Sequence, residues 1–459
     1  MNQSMEQMKN CFQFDLMARL PERIARWRWP KKRIAAFQRQ QLRHLLKDAI
    51  ESSPFHASRL AAVDADGFEL DQLKSLPMMT KTEMMENFDD VVTDRRLTLD
   101  GVQAHLAATT DHPRLLEEDY FAFTSGGSSG VKGVFVYDRD AMLDYTLGLM
   151  PPEGPPEHNV VIAAVISPSP VHPSGLTSSL LDGAGLNQVI HLPVTLSIEE
   201  MVSHLNETQP EVVMGYPSIL RQLAREQRAG RLAIRPALLR TVAEQLEAEV
   251  EAHLIEVFNA PILNTFACSE GLFGVKRPGE DAFTFATDLV IVELVDDRNQ
   301  PVPAGTESPR VLLTNLFNRV QPLIRYALED RLTPMPDGRE HGHLVAQVKG
   351  KSAATFVYQD IHVNPRVVFA PVIESPKVVD YQIRQTPRGI DVDLIADGDP
   401  DLEALRATIR QRLEQAGLTR PEVSTRVVDA LMRDPHTGKL RRLVPRDVEE
   451  HSGPSTLLR

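Results

Sequence analysis

The sequence has only two cysteines, Cys11 and Cys268, in 459 residues. Two are too few for a disulfide framework or a four-cysteine zinc site, and they fit a reducing compartment. Basic residues are also outnumbered: 50 Lys and Arg against 63 Asp and Glu give a net charge of -13. An acidic chain of this kind argues against a general nucleic-acid-binding protein.

Long apolar runs and a secretion signal are missing as well. No apolar stretch reaches the ~18–20 residues of a membrane span, and the first twenty residues lack the apolar core of a signal peptide. The basic stretch 23–47 suggests a membrane-surface helix, but Pro30 interrupts it and helical spacing of its apolar residues favours a solvated basic face. We therefore predict a soluble cytoplasmic protein with no nucleic-acid or membrane partner.

What the sequence does contain is an alternation of strand-like and helix-like segments before residue 288. The run 159–167 is nearly all apolar, as in strands buried in a parallel sheet. The segment 197–209 predicts a helix with Ser197 as N-cap and Glu200 in the capping-box position. Pro217 is expected to start a further helix. This alternation predicts an α/β sheet with crossover helices.

Two other segments give further predictions. In 236–258 an apolar residue recurs at every fourth position, which predicts one continuous helical face; its members are Leu238, Val242, Leu246, Val250 and Leu254. Beyond Asp288, apolar runs at 288–297, 310–318 and 323–332 are separated by turn-rich segments and predict a β-rich subdomain. A smaller α+β domain is expected after a glycine-containing hinge at 348–351.

The most unusual segment is TSGGSSGVKG, residues 124–133, between two predicted strands. It matches neither the Walker loop, which needs Gly-Lys-Ser/Thr, nor the dinucleotide fingerprint. Glycine N–H groups can nevertheless approach an anion closely, and serine hydroxyls add donors. The residues alone leave a phosphate-binding loop and a structural turn both open.

Other motifs occur with this loop in a characteristic order. They are SSPFHASRL (52–60), LKSLPMMTKTEMMENF (73–88), NTFACSEG (264–271), QPLIRYALEDR (321–331) and DPHTGKLRR (434–442). In this order and spacing the chain resembles the adenylate-forming superfamily of acyl-CoA synthetases, adenylation domains and luciferases. Within it, the phenylacetate–CoA ligase-like branch is the most similar.

The resemblance implies an α/β fold in which a large, multi-subdomain adenylation domain (1–348) precedes a small, mobile α+β domain (349–459). It implies activation of a carboxylic acid, expected to be aromatic, by ATP and Mg²⁺ to an acyl-adenylate. The acyl group then passes to a thiol, with CoA as the expected acceptor. A carrier-protein thiol or an amine is the alternative acceptor, and the oligomeric state, a homodimer included, stays open.

The resemblance also assigns roles to individual residues. The implied ATP-binding residues are Ser125, Gly126, Gly127, Ser128, Ser129, Gly130, Lys132, Phe266, Ser269, Arg325, Asp330 and Lys351. Among them, Phe266 stacks on adenine, and Asp330 accepts hydrogen bonds from the ribose hydroxyls. For Arg325 a structural ion pair with a nearby acid is an equal alternative. Lys351 stands where the family has arginine, and the two acids that normally follow are missing.

For catalysis the implied residues are Glu270, which holds Mg²⁺ against the phosphates, and Lys439, which matches the catalytic lysine. The implied substrate-pocket residues are His172, Tyr216, Ala267, Cys268 and Gly271. A turn histidine is an equal interpretation of His172, and Cys268 is interpreted as a small buried thiol rather than a nucleophile.

Two functions other than an acid-activating ligase are alternatives. A serine hydrolase is suggested by ACSEG, which nearly matches G-x-S-x-G. Ala267 replaces the first glycine, however, and the residues that follow do not predict the helix of a nucleophile elbow. A non-catalytic nucleotide binder is suggested by the altered hinge around Lys351.

Overall fold

The computed structural model describes residues 3–110, 112–125, 133–154, 159–182, 188–336, 342–351, 356–359, 361–363, 366–375, 377–396, 398–434 and 438–446. The chain divides into two compact units. The first consists of Met1–Lys351 and Pro435–Lys439, and the second of Ser352–Asp434 and Leu440–Arg459. The predicted domain boundary after residue 348 lies inside the strand Leu344–Lys351.

The helices of the first unit are α1 Gln3–Arg26, α2 Lys31–Ser52, α3 Pro54–Arg59, α4 Lys81–Glu86, α5 Phe88–Val91, α6 Leu99–Ala108, α7 Arg139–Leu149, α8 Pro173–Leu181, α9 Ile198–Thr208, α10 Pro217–Arg228 and α11 Ala248–Phe258, with a 3-10 helix at Leu70–Ser75. Its strands are β1 Tyr120–Thr124, β2 Val134–Asp138, β3 Val161–Ile166, β4 Gln188–Pro193, β5 Val212–Gly215, β6 Leu238–Val242, β7 Ile262–Ala267, β8 Phe273–Lys276, β9 Phe283–Phe285, β10 Val290–Val295, β11 Arg310–Asn315, β12 Tyr326–Leu328, β13 Asp330–Pro334 and β14 Leu344–Lys351.

Within the described residues, the main sheet has nine strands in the order β13-β14-β9-β8-β7-β6-β5-β3-β4. The half from β4 to β7 is parallel, and the half from β7 to β13 is antiparallel. Helices α9, α10 and α11 pack against the parallel half around a buried apolar core. The predicted α/β sheet with crossover helices is therefore confirmed.

Local sequence signals account for several of these elements. Ser197 and Glu200 form the predicted capping box at the start of α9, each side chain bonding the other residue's backbone N–H. Pro217 occupies the first turn of α10, where its missing N–H costs nothing. Gly230 follows that helix with φ of +73°, the left-handed conformation that glycine adopts readily after a helix.

The continuous helix predicted for 236–258 is wrong. Residues Leu238–Val242 form strand β6, in the middle of the parallel half between β5 and β7, and the helix begins only at Ala248. A spacing of four residues fits a strand of period two as well as a helix of period 3.6. The burial of Leu239 and Thr241, which alternate with more exposed neighbours, shows the two-residue period.

The β-rich region predicted beyond Asp288 is also present. Strands β10, β11 and β12 form an antiparallel sheet, and β1 pairs with β2 as a separate hairpin. The apolar run 323–332, expected to be one strand, is divided at Glu329 into β12 and β13. Those two strands belong to different sheets.

The second unit contains β15 Phe356–Tyr358, β16 Ile361–Val363, α12 Arg366–Glu374, β17 Val378–Thr386, β18 Gly389–Ala396, α13 Leu402–Gln415, β19 Glu422–Val427 and β20 Leu443–Val444. Its sheet has the order β19-β18-β17-β20, and α12 and α13 contribute to one apolar core with it. This is the expected α+β arrangement. Among the described helices of the chain, none is both long and apolar enough for a membrane span.

One buried histidine in the first unit makes stability depend on pH. His56 in α3 is fully buried, and its Nε2 lies 3.0 Å from the carbonyl oxygen of Pro322. Burial lowers the pKa of its imidazole to about 4. Between pH 6.5 and pH 4 the imidazole of His56 is protonated in the unfolded chain and neutral in the folded chain. This contribution to stability is complete above pH 6.5 and is lost as the pH falls to 4.

We expect wild-type protein to lose about 2 kcal/mol more stability than His56→Gln when the pH is lowered from 7 to 5. Urea unfolding of both proteins at both pH values measures this difference. Asp144, whose pKa burial raises to about 6, acts with the opposite sign but equally in both proteins. The same loss in both would mean that His56 is protonated in the folded state.

Candidate active site

The predicted site centres on the turn between β7 and β8. Cys268 closes this turn through two backbone hydrogen bonds, donating to Leu272 O at 3.1 Å and accepting from Gly271 N at 3.1 Å. Gly271 is buried with φ of +98°, and a Cβ there would lie 2.5 Å from Asn315 Nδ2. Its place in the substrate pocket stays a prediction; in the structure this position forms the turn.

Two tyrosines hold the turn from the opposite side. The hydroxyl of Tyr137 donates to Ser269 O at 2.7 Å, and that of Tyr145 donates to Cys268 O at 3.2 Å. Both rings are buried, and burial raises the pKa of each phenol. They therefore stay protonated as donors and fix β2 and α7 to the turn that carries Ser269 and Glu270.

The segment 315–321, to which no site residue was assigned from the sequence, is a third support. Asn315 Nδ2 donates to Glu270 O at 2.9 Å, and Asn318 Nδ2 donates to Val136 O at 3.0 Å. Gln321 completes the series by donating to a further carbonyl of β2. These fully buried amides join the turn to β2, and their signal was a cluster of Asn and Gln directly after an apolar strand.

The glycine-rich loop begins at the end of β1 and ends at the start of β2. Ser125 N donates to Gly133 O at 2.9 Å, and Gly133 N donates to Ser125 Oγ at 3.0 Å. This pair closes the base of the loop and leaves the Ser125 hydroxyl hydrogen available as a donor. The other predicted loop residues lie outside the described residues; they are Gly126, Gly127, Ser128, Ser129, Gly130 and Lys132.

His172 lies beside this base. It is the N-cap residue of α8 and is buried, and its Nδ1 is 3.4 Å from both the hydroxyl and the carbonyl oxygen of Thr124. Thr124 N in turn donates to Val171 O at 2.9 Å. The structure thus brings the predicted pocket histidine next to the loop, although the sequence separates them by more than forty residues.

Asp330 and Glu270 lie near Cys268. Burial, followed by these two carboxylates, raises the pKa of the Cys268 thiol well above its ordinary value. The thiol is therefore neutral, which agrees with its interpretation as a small non-nucleophilic side chain. Asp330 begins β13, where its Cα partner in β14 is Lys351, so the predicted hinge lysine is adjacent in the sheet to the predicted ribose ligand.

The side chain of Arg325 has its partners within the protein. Its guanidinium forms a two-point ion pair with Glu293, at 2.9 and 3.0 Å, and its Nη1 donates to the carbonyls of Lys74 and Leu76. The side chain is 3% exposed. Most of its donors are used within the protein, which favours the structural alternative over ATP binding.

Phe266 and Ala267 end strand β7 just before the turn. The ring of Phe266 is partly buried and meets Phe283 and Phe285 edge to face, with centroids 6.3 and 5.6 Å away. Ala267 is exposed. A fixed aromatic ring therefore lies beside a small exposed residue, and its stacking on adenine stays a prediction.

Tyr216 and Gly438 are neighbours in the first unit. Tyr216 is fully buried, and its hydroxyl accepts the N–H of Ser167 at 3.1 Å. Gly438 has φ of +66°, and a Cβ on it would come within 2.2 Å of Val194 Cγ2 and 3.9 Å of the Tyr216 ring. The glycine before Lys439 is required by this close packing, and Lys439 itself is partly buried.

Comparison with known proteins identifies the fold. No protein-family model matches the sequence, and no curated protein matches it significantly. Solved structures of 2-hydroxyisobutyryl-CoA ligase do match. In the postadenylation state with R3-HIB-AMP the TM-score is 0.64 at 16% identity, over 92% of this chain and 91% of that one. In the thioesterification state with 2-HIB-AMP and CoA it is 0.55 at 17%, over 92% and 91%. The fold is that of the adenylate-forming CoA ligases.

In this ligase fold Glu270 is the residue to test as a Mg²⁺ ligand. Among the described residues no group of three metal-binding side chains exists. Glu270 is 6% exposed and lies 3.5 Å from the Tyr326 hydroxyl, and no cation of the described part of the chain pairs with it. Mg²⁺ often binds one or two carboxylates together with substrate phosphates, so a single buried carboxylate fits a metal that arrives with ATP.

The local structure around Ser269 differs from that of a serine-hydrolase nucleophile elbow. Ser269 is buried in a turn that joins two antiparallel strands, β7 and β8. A nucleophile elbow instead joins a strand to a helix and exposes its serine. The prediction that ACSEG is not such an elbow is confirmed.

Proposed function

We propose that the protein is an AMP-forming ligase that activates a carboxylic acid with ATP and transfers the acyl group to CoA. The observation that carries this proposal is the buried Glu270 carboxylate, which lies in a turn whose backbone carbonyls accept hydrogen bonds from Tyr137, Tyr145 and Asn315. This constellation occurs in the fold of ligases whose structures contain acyl-AMP and CoA. Its motifs favour the phenylacetate–CoA ligase-like branch and an aromatic acid.

Binding of ATP is assigned to residues on several elements. The loop that Ser125 and Gly133 close would surround the phosphates with N–H donors. Phe266 offers a ring for the adenine, and Asp330 a carboxylate for the ribose diol. Glu270 would hold Mg²⁺, which neutralises phosphate charge when bound. Lys351, next to Asp330 in the sheet, replaces the family's arginine at the hinge.

In the first step a carboxylate oxygen of the acid attacks the α-phosphorus of ATP. A new O–P bond forms, the bond to the β-phosphate oxygen breaks, and pyrophosphate leaves. Carboxylate and phosphate are both anionic, so the protein must bring positive charge and N–H donors to this point. Lys439 is the residue we assign to that task. The CoA thiolate then attacks the acyl carbon and displaces AMP.

The test is a coupled assay of pyrophosphate and acyl-CoA with a panel of aryl and alkyl carboxylic acids. We expect pyrophosphate release that requires an acid, and acyl-CoA equal in amount to the AMP when CoA is present. AMP and acyl-hydroxamate trapped by hydroxylamine, without acyl-CoA, would instead favour a carrier-protein or amine acceptor. ATP binding without pyrophosphate release for any acid would favour the non-catalytic nucleotide binder.

Use of ATP and CoA, together with the low cysteine content, leads us to propose the cytoplasm as the site of action.

A further inference from the structure

One arginine of the first unit, Arg240, has no acidic partner among the described residues. Arg240, in the centre of β6, is only partly exposed. Its Nε donates to Thr265 Oγ1 at 3.2 Å, and its Nη2 donates to Leu149 O at 2.5 Å. Within the described part of the chain no carboxylate pairs with it and its Nη1 forms no hydrogen bond. Donors therefore remain for a further acceptor.

Such a position is costly for a cation. Burial alone lowers the pKa of Arg240 to about 10, and no nearby carboxylate offsets this effect. Leu149 is the last residue of α7, so the negative end of that helix offers part of the missing compensation. A carboxylate on a bound ligand would complete it with two parallel charge-assisted hydrogen bonds.

The position of Arg240 relates it to the candidate active site. Its Cα partner on β7 is Leu263. Side chains two and four residues further along a strand point to the same face, so Arg240 shares a face with Thr265 and with the exposed Ala267. Ala267 adjoins the predicted nucleotide site, so Arg240 is on the same face of the sheet as that site.

The spacing of two residues along helix α7 gives the approximate distance between Arg240 and the β7–β8 turn. Tyr145 on this helix bonds the carbonyl of Cys268 in the turn, and Leu149, four residues later, bonds Arg240. Four residues of helix rise about 6 Å. Arg240 therefore lies about one helical turn from the level of the turn that carries Ser269 and Glu270.

We propose that Arg240 binds a second carboxylate at the far end of the acid substrate, so that the enzyme activates dicarboxylic acids. One carboxylate would be activated beside the β7–β8 turn while the other pairs with the guanidinium. This inference rests on the proposed function, and it adds the substrate class. A six-carbon chain or a para-substituted phenyl ring separates two carboxylates by a distance of this order.

The test compares matched acids on wild-type enzyme and Arg240→Met. The pairs are adipate against hexanoate, and 4-carboxyphenylacetate against phenylacetate. We expect wild type to prefer the dicarboxylate of at least one pair, in kcat/KM for pyrophosphate release. Arg240→Met should lose about ten- to hundredfold on that acid, the effect of a charge-assisted pair, and little on the monocarboxylate. Arg240→Lys should retain part of the preference.

Arg277→Met is the matched control, because Arg277 pairs with the exposed Glu153 shortly after α7 and should not affect the ratio. An unchanged ratio of kcat/KM for dicarboxylate and monocarboxylate in Arg240→Met would overturn the inference and leave Arg240 as a helix-capping residue.

Thermal stabilisation by each acid is a second readout that does not depend on catalysis. If wild type is stabilised by the dicarboxylate and Arg240→Met is not, Arg240 is the binding group even where no pyrophosphate appears; that combination refutes only the proposed function. Equal stabilisation of both proteins by the dicarboxylate, or none of wild type, overturns the inference.

Discussion

Replacing Glu270 with glutamine should reduce acid-dependent pyrophosphate release by about two to three orders of magnitude. Glutamine keeps an oxygen that can accept from Tyr326, 3.5 Å away in wild type, but it lacks the charge that would hold Mg²⁺ against the phosphates. The measurement is initial-rate release of pyrophosphate at saturating ATP and acid, over a range of Mg²⁺ concentrations.

We also predict how Glu270→Gln changes the stability of the protein. Because no cation among the described residues pairs with the buried Glu270 carboxylate, its removal should leave the ligand-free protein at least as stable as wild type. Stabilisation by Mg²⁺ and ATP in a thermal melt should be lost at the same time. Glu307→Gln, which alters an exposed pair with Arg331, is the control and should behave as wild type. Near-normal turnover by folded Glu270→Gln would exclude Glu270 as the metal ligand.

Replacing Lys439 with alanine should slow adenylate formation by about two to three orders of magnitude, because a positive charge that offsets anion repulsion is lost. In the proposed reaction this lysine acts in adenylation alone. Conversion of synthetic acyl-adenylate and CoA to acyl-CoA should therefore proceed at nearly the wild-type rate. Single-turnover measurements of the two half-reactions separate these effects.

Lys349→Ala is a suitable control for this experiment, since Lys349 is an exposed lysine whose side chain bonds Gln347. It should leave both half-reactions unchanged. If Lys439→Ala slowed both half-reactions to the same extent, Lys439 would have a positioning role. The close packing of the preceding Gly438 against Val194 is the observation that favours this alternative.

Much of the fold was readable from local signals. Buried parallel strands such as β3, the Ser197 capping box and Pro217 at the start of α10 all depend on residues close together in the chain. The motif around Glu270 was also recognisable, and the structure places it in the turn between β7 and β8. The helix wrongly predicted over Leu238 shows the limit, because a spacing of four residues satisfies both helix and strand periods.

Roles that depend on partners distant in the chain could not be read in the same way. Arg325 stands within a nucleotide-site motif, and only the folded chain shows that Glu293 occupies its guanidinium. Asn315 and Asn318 fall within the apolar run 310–318, which predicts a strand, yet Asn315 bonds the turn between β7 and β8 and Asn318 bonds β2. Gly271 was expected in a pocket, and its positive φ and the proximity of Asn315 show that it forms the turn.

The sequence by itself determined the α/β class, the positions of most strands and helices, and an order of motifs that resembles that of acid-activating enzymes. These features follow from residue periodicity, capping and turn chemistry, which act over a few residues. Tertiary structure alone decided which charges are paired. Arg325 is neutralised by Glu293, whereas Glu270 and Arg240 have no counter-charge among the described residues. Charge pairing depends on distance in space and on burial, and neither is encoded within a short stretch of chain.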